Sequence, residues 1–106
     1  MARDRKRLQL HEELCNILGS RYVYYQPPEN VQMHYPCIVY YPNPAEDRHA
    51  DNSRYLTWYS YNVQIIAHDP EFALFDSFPD FFMHAVESAP RFSQDNLNHA
   101  NFKLYY

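Results

Sequence analysis

Apolar residues near the start of the chain recur at helical spacing. Leu10, Leu14, Ile17 and Leu18 fall three or four positions apart, and Leu8 and Cys15 widen the stripe. The pattern predicts an amphipathic helix that stops at Gly19, the only glycine, where left-handed dihedrals cost little. The period then changes. RYVYY (21–25) and CIVYY (37–41) are rich in β-branched and aromatic residues and read as strands. QPPENVQMHYP joins them. Pro27 and Pro28 cannot donate to a ladder, so they close the first strand. Residues 42–53, PNPAEDRHADNS, are polar and proline-broken and read as an exposed, mobile loop. Residues 54–68 form a long alternating strand, with Tyr59, Tyr61, Val63, Ile65 and Ala67 on its apolar face.

HDPE (68–71) reads as a strand end and an Asp-Pro turn. Beyond it, Phe72, Phe75, Phe78 and Phe82 are spaced for a second helix. Pro79 is welcome at a first helical position, so this helix is expected from near Phe78 with Ser77 as its cap, and 72–76 as a preceding turn. The last segment reads as a hairpin around Asp95-Asn96, its final strand turning Ala100, Phe102, Leu104 and Tyr106 inward. The expected order is α-β-β-β-α-β-β. It implies a single α+β domain over 1–106, with a mostly antiparallel sheet of 4–5 strands, hairpin-length connections and both helices on one face.

Bulk properties narrow the function. The net charge is −4, which speaks against a generic nucleic-acid-binding domain. Aromatic residues make up 18% of the chain, too many for a disordered one. Cys15 and Cys37 stand in no metal or redox spacing and read as free buried thiols. No signal-length apolar core or membrane-length run occurs, so the expectation is a soluble protein made in the cytoplasm.

Motifs for chemistry are few. With one glycine there is no phosphate-binding loop, and the six histidines share no close ligand spacing. No catalytic, cofactor or metal residue is therefore assigned. The nearest alternative is a small hydrolytic or metal-dependent enzyme around His68 and Asp69, against which the turn reading is favoured. Arg3, Arg5, Lys6 and Arg7 hold four of the nine basic residues. They are candidates for contact with DNA or an acidic partner, set against a solvated helix end. The tyrosines are the strongest signal: six of eleven lie within residues 22–41. Tyrosine buries a large ring and keeps its hydroxyl wet, which suits protein contacts. In CIVYY both faces carry apolar mass, and the face away from the helices wants a cover. Tyr24, Tyr25, Tyr40, Tyr41, Trp58, Tyr105 and Tyr106 are therefore candidates for a subunit or partner interface.

LHEELCNILGS, YVYYQPPENVQMHYPCIVY and DNLNHANFKLYY, with the long third strand and the DP turn between them, resemble the tail terminator, or tail completion, proteins of long-tailed bacteriophages. The likeness runs over nearly the whole chain and is weakest at 42–53 and 72–84. It implies an α+β sheet with helices on one side and no catalytic residues. It also implies a virion protein that closes a ring, usually of six, on the head-proximal end of the tail tube. Such a ring stops tube growth and joins the tail to neck proteins, and genomic DNA crosses its lumen without specific binding. A head-closure adaptor is the alternative, and a host-directed binding protein a more distant one. On this reading the 42–53 loop orders on contact with tube or head, and deleting 44–52 should spare the fold while impairing joining.

Overall fold

The computed structural model describes residues 2–49 and 57–106. It is an α+β domain built on a six-stranded, mostly antiparallel sheet. Helix α1 (Ala2–Leu18) comes first, followed by β1 (Val23–Tyr25) and β2 (Cys37–Pro42). A 3₁₀ turn at Pro44–Glu46 leads into β3 (Arg48–His49) and β4 (Thr57–Trp58), a small ribbon separate from the main sheet. Then come β5 (Ser60–Ala67), the single-turn helix α2 (Leu74–Ser77), a 3₁₀ turn at Phe78–Phe81, β6 (His84–Glu87), β7 (Phe92–Gln94) and β8 (Leu97–Tyr105). The sheet order is β1-β2-β5-β8, with β6 and β7 side by side along the far edge of β8.

Gly19 ends α1 as expected. It sits at φ +83°, and its N–H closes the last turn on the Cys15 carbonyl at 2.9 Å. Asp95 and Asn96 take φ 55° and 64°, the left-handed pair that a tight two-residue hairpin requires, and Gln94 faces Leu97 across it. The alternation of β5 is seen directly: Tyr61, Val63, Ile65 and Ala67 are buried on the helix side. There they meet Leu10 and Leu14 of α1, Leu74, Phe75 and Phe78 of the second helical segment, Ile38 and Tyr40 of β2, and Ala100, Phe102 and Leu104 of β8. One core thus lies between one sheet face and both helical segments.

Three expectations are corrected. First, β1 and β2 are parallel, Val23 facing Ile38 and Tyr25 facing Tyr40. A parallel pair needs a crossover. Residues 26–36 provide one without a helix, crossing the second sheet face. There Met33, Tyr35 and Tyr24 pack on a satellite cluster of Cys37, Val39 and Ile66. The face that wanted a cover is therefore partly covered by the chain's own connector. Second, the phenylalanine-rich segment is helical earlier and for less length. The α-turn precedes Phe78, and Phe78–Phe81 is a 3₁₀ turn with Pro79 in it. Phe82 is already extended, and residues 84–87 form an additional strand. Phe72, Phe75, Phe78 and Phe82 still face the core, Phe78 lying 4.8 Å from Phe102 and 5.2 Å from Phe82 between ring centroids. Third, the described part of the 42–53 loop is not a free loop: a 3₁₀ turn and β3 run through it, and it is anchored to α1 and the sheet. The Asp47 carboxylate accepts the Ser60 N–H at 2.7 Å and pairs with Arg3, and Glu46 pairs with Lys103. Residues 50–53 of that loop, and 54–56 of the third expected strand, lie outside the described residues. Deleting 44–52 would remove these anchors, so it no longer tests joining alone.

Candidate functional site: the sheet edges

The basic run has a use within the fold. Residues 3, 6 and 7 recur at helical spacing on the face of α1 that meets the sheet, over a row of aromatic rings. The Arg3 guanidinium lies 5.0 Å from the Tyr59 ring and 5.1 Å from Tyr61, and donates to the Ser60 carbonyl at 3.0 Å. Lys6 sits 5.6 Å from Trp58 and donates to the Thr57 carbonyl at 3.2 Å. Arg7 lies over Tyr25 at 4.2 Å. Cations over ring faces are attracted by the ring quadrupole, more so when partly desolvated. Three of the four candidate contacts for DNA or an acidic partner are thus already engaged in the fold. Arg5 alone is exposed with no partner among the described residues.

The same rows account for most of the candidate interface aromatics. Tyr40 is fully buried and belongs to the core, so it is not a surface residue. Its hydroxyl lies 2.8 Å from His11 Nδ1 and accepts from Arg7 at 3.4 Å. With Arg7 donating to the phenol oxygen, the phenol hydrogen is left for Nδ1, which suits a neutral imidazole. Burial, with Arg7 and Arg21 nearby, holds the His11 pKa below its ordinary value. Burial raises the Tyr40 phenol pKa. Tyr25 packs between Arg7 and the Tyr40 ring. Tyr24 accepts the His34 N–H at 3.2 Å and pins the connector. Tyr106 packs against the core and exchanges two backbone hydrogen bonds with Tyr59, and burial pushes its phenol up to about 12.

Trp58, Tyr105, His84 and Arg48 meet where the ribbon crosses the sheet, around an apolar pocket of about 250 Å³. Trp58 stands edge-on to His84 at 4.8 Å, and Arg48 donates to the Tyr105 hydroxyl at 3.4 Å. Tyr41 alone of the seven is substantially exposed, beside the amides of Asn62, Gln64 and Asn101 on the second face.

The exposed apolar mass lies elsewhere. Met83 is 80% exposed, Val86 58% and Phe81 53%, and Phe92 is also open. All four flank the β6/β7 edge of the sheet. This edge is tied to the second helical segment at the surface by Arg91, which pairs with Asp76 at 2.8 Å and Glu87 at 2.9 Å and donates to the Phe75 carbonyl at 2.8 Å. At the other end of the sheet, β1 presents its free side, with exposed Tyr22 immediately before it, and Leu8 of α1 is exposed as well. The Phe81/Met83 patch escaped the sequence reading. Part of its signal was present: in FPDFFMH Phe78, Phe81 and Phe82 all fit a helical stripe, but Met83, five residues after Phe78, falls off it.

HDPE is a turn. Asp69 accepts the Glu71 N–H at 2.9 Å, and His68 lies against Tyr35 and the Asn96 carbonyl. Among the described residues no group of three His, Cys, Asp or Glu side chains is placed to hold a metal ion, and no helix is long and apolar enough to cross a membrane. Burial pushes the Cys37 thiol up to about 12 and also raises Cys15. No family model, curated protein or solved structure matches this chain.

Proposed function

We propose that this protein is a ring-forming structural subunit, and that its ring is the tail terminator of a long-tailed bacteriophage, capping the head-proximal end of the tail tube and joining tail to head. One observation carries the reading: the sheet ends in two open edges that differ from each other, each bordered by exposed apolar side chains. A protein that pairs with itself through one self-complementary patch closes a dimer. A head-to-tail ring needs two unlike patches on every subunit. Monomeric proteins usually blunt or cover their edges, and exposed apolar patches mark interaction surfaces. The acidic balance fits a lumen that DNA crosses without sticking, because phosphate binding needs unengaged cations and Arg3, Lys6 and Arg7 are engaged internally.

The test is to add purified protein to tail tubes polymerising in vitro and to image tubes and free protein by negative stain. Tubes of limited length carrying a ring at one end support the reading. Unchanged tubes together with binding to DNA-filled heads would move the protein to the head-closure position. A stable closed dimer that binds neither would sink the ring.

A further inference from the structure

The two edges differ not only in the sheet but also in the helical layer above it. Arg21, just before β1, holds Glu12 by two 2.9 Å hydrogen bonds. The Glu12 side of α1 is therefore tied to the segment that enters the β1 edge strand. Leu8 and Arg5 lie one and two turns back along that side of the helix, and both are exposed. At the opposite end of the same layer, the 3₁₀ turn Phe78–Phe81 packs beside β6. It presents exposed Asp80 and Phe81, with Met83 next in line.

The charges are complementary. On the α1 flank, Glu12 and Arg21 neutralise each other, and Asp4 sits in the first helical turn, where an anion favours the helix dipole. Arg5 is left as the cation without a partner among the described residues. Around the 3₁₀ turn, Arg91 is shared between Asp76 and Glu87, and Asp80 is left as an anion without a partner among them.

We infer that, in the ring proposed above, the occupant of the Asp80–Phe81–Met83 patch is a second copy of this chain, which seats the Arg5–Leu8 flank of its α1 there as its β1 edge approaches β6. The inference rests on that ring reading and adds the contact surfaces. Juxtaposing the two edges brings the two ends of the helical layer together at the same time, so one head-to-tail placement satisfies both. Leu8 covers Phe81 and Met83, and Arg5 meets Asp80 at the rim. The contact is heterologous, because neither patch matches itself.

A charge swap tests it. Arg5→Glu and Asp80→Arg are made singly and together, with Met83→Asp as a second probe of the same patch. Self-association is read by light scattering across a wide concentration range, and tube capping by negative stain. Folding is checked by circular dichroism, since all three positions are exposed. Each single change is expected to weaken assembly by at least about tenfold, because like charges then face each other, and the double swap to restore most of it. Singles that assemble like wild type, or a double variant no better than the singles, overturn the contact. If wild type still caps tubes in that case, the ring reading stands. Wild type that neither self-associates nor caps tubes overturns both. Capture of wild type by heads alone, insensitive to the swap, assigns the patch to another partner and overturns the contact as well.

Discussion

Replacing Arg3 with alanine separates two accounts of the basic N-terminal run by the sign of the effect. As part of a solvated helix end, Arg3 opposes the helix dipole, and alanine is the best helix former, so Arg3→Ala would stabilise by about 0.5 kcal/mol. In the structure, Arg3 joins α1 to the root of the ribbon. Its side chain and that of Asp47 are 21% and 17% exposed, between a surface and a buried pair. Losing one partner of a fully buried pair costs about 3–5 kcal/mol, and of an exposed pair about 0–1. About 1–2 kcal/mol is reasonable here, with roughly 0.5–1 more for the contacts to Tyr59 and Tyr61. Asp47 would keep its hydrogen bond to the Ser60 N–H, which limits the damage. The sum, about 2 kcal/mol, corresponds to a Tm lower by roughly 8–15 °C in a domain of this size. Urea unfolding followed by circular dichroism measures it, and a double-mutant cycle with Asp47→Asn isolates the pair. Arg3→Lys should recover only part, since one ammonium cannot span both Asp47 and the Ser60 carbonyl. An Arg3→Ala protein at or above wild-type stability would refute the linkage.

Two further predictions concern the core and the hairpin. His11 and His99 both have pKa values lowered in the fold, chiefly by burial. The unfolded chain therefore binds more protons below about pH 6.5, so stability should be level above that value and fall as pH drops below it. Urea midpoints between about pH 7.5 and about pH 5.5 should show this fall, and it should be smaller in His11→Gln; a flat profile would contradict it. At the β7–β8 turn, Asn96→Gly should hold or raise stability slightly, because φ is 64° there, whereas Asn96→Val should cost about 1–2 kcal/mol in thermal unfolding.

Local rules were legible where local physics decides. Gly19, the Asp95-Asn96 turn and the alternation of β5 each follow from dihedral preference or side-chain period, which neighbouring residues set. Partner choice was not legible. Nothing in RYVYY says that its mate runs parallel, because direction depends on where an eleven-residue connector travels. The tyrosines misled for a related reason. Composition reports that a ring wants an apolar body and a polar tip, but not that the tip of Tyr40 is met by His11 and Arg7 from inside the same chain. For Arg3, Lys6 and Arg7 the sequence offers an external acidic partner or a solvated helix end, and neither names the rings below them; only the fold brings the two rows together. Helical spacing placed Phe81 with the inward phenylalanines, and only the fold, where the segment tightens to a 3₁₀ turn, puts it with Met83 on the exposed edge.

The place of β8 has a consequence for synthesis. It pairs with β5 along one side and with both β6 and β7 along the other, and all three of those strands are synthesised before it. Until it is made β5 has no neighbour on that flank, and Val63, Ile65 and Phe78 have no Phe102 or Leu104 to lie against. Long-range pairings of this kind form slowly and leave apolar surface open in the meantime. The sheet is thus held open until Leu97–Tyr105 has been made. A product that stops before Leu97 would be a sticky intermediate, not a smaller domain.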